Sequence, residues 1–276
     1  VMPTKKLAAP DWREDVDKWL DTLKAGARSS ETIKTRKRQL VTLSNAIGVS
    51  PGEVTGEQLV SWFASRDWKP ETRKGYRNAV HSFFSWMLAT GRRDDDPSDA
   101  LPSVKRPQPH PRPCPDRIIM RALAKADESE IVMLRLGAEC GLRRHEICRV
   151  HSDDVMHDLI GYSLIVRGKG DKQRLVPLPD DLAETITKAN GYMFPGRFAP
   201  HCEVTYVGKH LATLLGDGWT AHSLRHRYAT TTYAATHDLY LVSKLLGHAS
   251  VETTQRYVAL PDERLRAALA AVTLAG

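Results

Sequence analysis

Leu245-Leu246-Gly247-His248-Ala249-Ser250-Val251-Glu252-Thr253-Thr254-Gln255-Arg256-Tyr257 sets the question for the whole chain. Leu-Leu-Gly ends a helix, with Gly247 suited to a left-handed C-cap. Ser250 can cap a second helix, and Glu252 suits its positive N-terminal end. Tyr257 then falls in the second turn, nine residues after His248. A tyrosine phenol ionises near pH 10, so only about a thousandth of it is phenolate at neutral pH. To act as a nucleophile it needs a base and a strongly cationic site, and the rest of the chain has to supply them.

The chain has 276 residues, 41% of them hydrophobic, enough for two domains that each bury a core. A net charge of +7 and a pI near 9.2 suit a polyanionic partner such as nucleic acid. Cys114, Cys140, Cys148 and Cys202 form no C-x-x-C pair, which argues against a zinc site and for reduced thiols in the cytosol. No apolar run has the length of a membrane span, and no signal peptide opens the chain.

Residues 1–95 read as a helical domain. Trp12, Val16, Trp19, Leu20 and Leu23 make one buried stripe between Asp11 and Lys24. A second helix runs from Ser30 to about Ile47, with Ile33, Leu40, Leu43 and Ile47 inward and Lys34, Arg36, Lys37 and Arg38 outward. A third, Thr55 to Ser65, carries Leu59, Val60, Trp62 and Phe63. A fourth follows Pro70 to about Thr90, with Val80, Phe83, Phe84, Met87 and Leu88 inside and Arg73, Lys74, Tyr76 and Arg77 in its first turns. Any single basic run is ordinarily a solvated face. Two of them in one small bundle favour a surface for the DNA backbone.

Residues 96–115 are rich in proline, from Pro97 to Pro115, and carry Lys105, Arg106 and Arg112. That composition suits an extended strap or an ordinary interdomain spacer.

Residues 116–276 read as mixed α and β. Asp116–Lys125 and Ser129–Glu139 are helical, and Gly141 forces a turn that places Arg143 at the start of the next helix, with Glu146 one turn on. His145-Glu146 has Arg149 four residues after His145, so the metalloprotease pattern is absent. Tyr162–Val166 and Gln173–Leu178 form a hairpin whose glycine-rich turn holds Lys169. Val204–Leu215 is a helix, and Thr220 is a candidate N-cap for the next, which carries His222 and Arg225 on one face. A helix start with His and Arg suits a phosphate. His222 and His226 have no carboxylate or thiolate beside them to complete a metal set. Beyond Pro261, Leu265, Ala268, Leu269 and Val272 give a final amphipathic helix that docks at home or on a partner.

Gly-Leu-Arg143-x-x-Glu146, Gly-Lys169-Gly, His222-x-x-Arg225, Leu-Gly-His248 and Tyr257, in this order, resemble the tyrosine recombinase (phage integrase) family. The likeness covers essentially the whole second domain. The first domain looks like that family's core-binding domain. Cys140, in place of a small polar residue, and Arg144-His145 are departures that leave the catalytic positions complete.

The resemblance implies a mainly α fold with a small antiparallel β-sheet: a helical core-binding domain and an α+β catalytic domain. It implies a site-specific recombinase that cleaves double-stranded DNA through a 3′-phosphotyrosyl link and a Holliday junction, with no metal or cofactor. Arg143, Arg225 and His248 would hold the scissile phosphate, Lys169 would protonate the leaving oxygen, His222 would accept the proton of Tyr257, and Glu146 would orient its neighbours. Lys34, Arg36, Lys37, Arg38, Arg73, Lys74 and Arg77 would contact DNA. Four protomers would assemble in the synapse, with a directionality factor as an accessory partner, on nucleoid DNA in a bacterial cytoplasm. A first core helix starting near Asp11 leaves no room here for an arm-binding domain, as in a compact phage integrase or a Xer-like resolvase. A type IB topoisomerase, or a DNA-binding regulator without catalysis, is the alternative.

Overall fold

In the computed structural model, residues 7–105, 111–168, 173–247, 254 and 258 are described. The chain divides into two compact units, Val1–Gln108 and Pro109–Gly276.

Among its described residues the first unit has four α-helices: α1 (Arg13–Ala25), α2 (Ser30–Ile47), α3 (Gly56–Ala64) and α4 (Pro70–Ala89). Their boundaries follow local chemistry. Ser29 caps α2 by accepting from the Thr32 amide, and Gly48, at φ 77°, ends it. Thr55 and Gln58 form a reciprocal capping box on α3, and Pro70 opens α4 where no amide is needed. Aromatic rings fill the centre. Phe83 stacks on Trp12 and meets Trp19 edge-on, each at 5.6 Å between centroids. The indole of Trp12 donates to the Val49 carbonyl at 2.8 Å, so its polar end is satisfied.

Leu88 departs from the expected core. The buried stripe of α4 is Ala79, Val80, Phe83, Phe84 and Met87, and Leu88 lies one step around the helix, 42% exposed. Val60 on α3 is exposed for the same reason. Within the proline-rich segment, Pro97–Ala100 forms a 3₁₀ turn capped by Asp96. Leu101 is buried, and Arg77 donates twice to its carbonyl, so this part of the segment packs on the first unit.

The second unit contains α5 (Asp116–Leu123), α6 (Glu128–Ala138), α7 (Arg144–Ile147), β1 (Val155–His157), β2 (Tyr162–Arg167), β3 (Gln173–Leu178), α8 (Asp180–Lys188), α9 (Val204–Leu215), α10 (Ala221–Thr236) and α11 (Leu239–Leu246). The sheet is antiparallel in the order β1-β2-β3, with Leu164 opposite Val176. The hairpin was legible from sequence, whereas the three-residue β1 and the helix α8 add to the expectation. Acidic residues at the start of α8 and buried Leu182, Ala183 and Ile186 account for that helix. α6 is buried on nearly every side. It lies against α10, where a Cβ on Gly137 would come within 2.9 Å of Leu224. Thr220 occupies the N-cap position of α10 but its side chain makes no capping bond, contrary to expectation. All four cysteines are buried free thiols.

Five of the six tryptophans lie in the first unit, so indole fluorescence follows its unfolding. In urea titrations of the full chain, Phe84→Ala should destabilise by about 3–5 kcal/mol and Leu88→Ser by less than about 0.5 kcal/mol.

Candidate active site

Gly141 begins the site. Its φ is 64°, and a Cβ there would stand 2.4 Å from the Tyr228 ring, so backbone conformation and packing both require glycine. Burial pushes the neighbouring Cys140 thiol up to about 12, which leaves it unreactive. The turn delivers Arg143 to the N-cap of α7. Arginine has no acceptor for helix amides, so only half of a capping box forms: Glu146 Oε2 accepts from the Arg143 amide at 2.8 Å.

The Glu146 side chain is fully buried beneath guanidinium groups. Arg143 Nη1 donates to Oε1 at 3.0 Å. Arg174, from β3, grips both oxygens at 2.9 Å. Arg225, from the second turn of α10, has Nη1 3.8 Å from Oε2. Burial by itself would raise the Glu146 pKa, but the Arg174 hydrogen bond and charge, with help from the Arg143 amide and Arg225, bring it down to about 2. The group is therefore a carboxylate throughout the physiological range. One negative charge among three positive ones leaves the site cationic, as an incoming phosphate requires.

The same guanidiniums hold the end of α11. Arg225 is 1% exposed, and its Nη1 and Nη2 donate to the carbonyls of Gly141 and Leu246, each at 2.5 Å. Arg174 Nε donates to the Leu245 carbonyl at 2.8 Å, and Arg143 Nη1 reaches that of Leu246 at 3.5 Å. These are the last carbonyls of the helix, which carry its negative end. Gly247 follows at φ 63° as the expected left-handed cap.

His222 sits in the first turn of α10 and shares a cavity of about 430 Å³ with Arg143, Arg144, His145 and Arg225. Desolvation, then the charges of Arg225, Arg143 and Arg144, press its pKa below the ordinary imidazole value. It is therefore neutral near pH 7 and able to accept a proton. Its ring meets His226 edge-on at 4.6 Å. The one group of possible metal ligands among the described residues is elsewhere, His81, Asp96 and Asp99 in the first unit.

Four of the expected site residues, Arg143, Glu146, His222 and Arg225, thus converge. Lys169, His248 and Tyr257 lie outside the described residues. Their described flanks are Arg167, which pairs with Gln173 across β2 and β3 on either side of Lys169 in the chain, and Gly247, which precedes His248. Arg174 was missed from sequence, yet it had a signal. It shares strand parity with buried Val176 and Leu178, and an arginine on the core face of a strand needs a buried partner.

The basic runs of the first unit lie on α2 and α4, which pack together and are joined by a 3.2 Å bond from Arg36 to the Gly75 carbonyl. Arg73 donates to the carbonyls of Phe63, in the last turn of α3, and of Arg66, just past its end, and Arg77 to that of Leu101. Lys34 and Lys37 make loose pairs with Glu31 and Asp17 at 4.0 and 3.9 Å. Arg38 is exposed and Lys74 half-buried.

Known proteins resemble this chain in sequence and in fold. The sequence pattern of the phage integrase family covers residues 116–264, more than half of the chain. The chain is 30% identical to tyrosine recombinase XerD of Caulobacter vibrioides, over 77% of this chain and 79% of that protein. It is 26% identical to tyrosine recombinase XerC of Chromobacterium violaceum, over 91% and 92%. The fold resembles that of the XerH site-specific recombinase bound to its difH substrate in a post-cleavage complex, with a TM-score of 0.75 at 18% identity, over 97% and 98% of the two chains. The chain belongs to the phage integrase family, the tyrosine recombinases.

Proposed function

We infer that this chain is a site-specific recombinase that cuts and rejoins double-stranded DNA with Tyr257 as nucleophile. The observation that carries this reading is the convergence of Arg143, His222 and Arg225 on one cavity above a buried carboxylate. Two guanidiniums stay charged at every relevant pH and match the nonbridging oxygens of a phosphodiester, where negative charge grows as the nucleophile attacks. His248 adds a hydrogen bond to the same oxygens. The Tyr257 oxygen attacks phosphorus and its proton passes to His222. The bond from phosphorus to the 5′ oxygen breaks, and Lys169 gives that oxygen a proton. The products are a 3′-phosphotyrosyl link and a 5′-hydroxyl. Attack by a 5′-hydroxyl of a second duplex reverses the step and joins the exchanged strands.

Lys34, Lys37, Arg38 and Lys74 are the cations of the first unit best suited to phosphate contact. Arg36, Arg73 and Arg77 act mainly by bracing the helices through the carbonyls they already hold. Four protomers on two duplexes, with a directionality factor as accessory, is the assembly that family resemblance favours. The setting is nucleoid DNA in a bacterial cytoplasm. No helix among the described residues is long and apolar enough to cross a membrane. A topoisomerase of type IB would use the same chemistry but only relax supercoils. The similarity to XerC and XerD over most of their lengths favours the recombinase.

A nicked suicide duplex should trap a covalent adduct, and Tyr257→Phe should abolish it while leaving DNA affinity within about threefold. An adduct persisting in that variant contradicts the assignment. Arg143→Ala and Arg225→Ala should each slow single-turnover cleavage by about 10²–10³-fold. Because His222 works as a neutral base with a depressed pKa, cleavage should hold its rate down through the ordinary imidazole range, near pH 6.5, and fall only below it. His222→Ala should remove that acid limb.

A further inference from the structure

We propose that Arg174 is a positioning residue for strand cleavage: it fixes Glu146, and through it Arg143 and Arg225, to the end of the helix that leads into His248. This rests on the recombinase reading above.

The guanidinium of Arg174 is committed on two sides. Nη1 and Nη2 grip the two oxygens of Glu146 at 2.9 Å, and Nε donates to the Leu245 carbonyl at 2.8 Å. A planar fork with a third donor on its flank can do this, and a lysine ammonium cannot reproduce it. The pair is buried, with Arg174 9% and Glu146 0% exposed at the side chain. Such a pair is a poor way to gain stability, because desolvation offsets most of the attraction and apolar residues would pack as well. Geometry is what the pair provides.

Three parts of the site meet at this one side chain. Glu146 is the shared acceptor of Arg143 and Arg174 and stands 3.8 Å from Arg225. Leu245 and Leu246, whose carbonyls Arg174 and Arg225 hold, are the last residues of α11, and His248 is two residues beyond Leu246. Arg174 also stands opposite Val166 in the β2–β3 ladder, next to the strand ends that flank Lys169 in the chain. The fit is close. A Cβ on Gly247 would lie 2.8 Å from Arg174 Cδ, so any larger residue there would have to push the Arg174 side chain aside. Without Arg174, Glu146 loses its two-point hold, and Arg143 and Arg225 lose the fixed charge against which they are aimed.

A purely structural role would slow all chemistry alike, whereas misaimed guanidiniums should matter only when the scissile group is charged. The test is single-turnover cleavage by the full chain of two nicked suicide duplexes. One carries a normal scissile phosphate. The other carries a neutral methylphosphonate, in which a methyl replaces one nonbridging oxygen. Arg174→Ala should cleave the phosphate about 100-fold more slowly than wild type, with DNA affinity within about threefold. On the methylphosphonate its deficit should shrink to about fivefold or less. Arg174→Lys, which keeps the charge but not the fork, should fall between and serves if Arg174→Ala does not fold. Arg135→Ala breaks a two-point pair with Asp181 elsewhere in the same unit and should cleave both substrates like wild type. Equal losses on the two substrates, phosphate cleavage by Arg174→Ala near the wild-type rate, or an equal loss in Arg135→Ala would overturn the proposal. A wild-type chain that forms no adduct on the phosphate duplex would instead overturn the recombinase reading on which it depends.

Discussion

The Glu146 carboxylate, sealed from solvent among Arg143, Arg174 and Arg225, is the constraint around which the second unit is arranged. A buried carboxylate is costly unless its oxygens are satisfied. Here the compensation comes from three separate elements: the start of α7, strand β3 and helix α10. Each must arrive in register for the charge to be tolerated. The turn at Gly141 and the bed that α6 makes for α10 serve that end. The arrangement also gathers more positive charge than one carboxylate neutralises, and the surplus faces the cavity that holds His222. Fold and chemistry thus draw on the same ions.

The end of α11 is the second partner of those ions. Its final carbonyls point at Arg174 and Arg225 and take hydrogen bonds that a substrate phosphate would also seek. The helix that precedes His248 is therefore seated by Arg174, which the Glu146 carboxylate also holds, and by Arg225, which on the recombinase reading would also face the phosphodiester. A weak nucleophile such as a tyrosine gains from this economy. Its attack depends on placing phosphate, base and phenol within fractions of an ångström, and on the recombinase reading the guanidiniums that line a cavity with His222 would place the first.

Much of this was legible in the sequence, for physical reasons. The four helices of the first unit declare themselves by apolar period and by Ser29, Thr55 and Pro70 at their starts. A forced turn and helical spacing put Arg143, Glu146, His222 and Arg225 at helix starts, the resemblance to the recombinase family singled them out as a set, and the structure brings them together. Leu88 was misplaced because an apolar residue beside a stripe looks like part of it until the helix is packed. The basic runs of α2 and α4 were seen as one class, whereas the structure separates Arg36, Arg73 and Arg77, which brace backbone carbonyls, from exposed Lys34 and Arg38. Arg174 was passed over because it stood in a strand whose alternation looked ordinary. Only its parity with Val176 and Leu178 marked it as a charge facing inward.

The central claim is that this cluster of charges serves a tyrosine that becomes covalently joined to DNA. Digestion of the trapped adduct with trypsin and nuclease, followed by mass spectrometry of the nucleotide-bearing peptide, tests it most directly. The account predicts a nucleotide attached through its 3′-phosphate to Tyr257, with a free 5′-hydroxyl on the other strand end. A nucleotide on any other residue, or one attached through a 5′-phosphate, would contradict it.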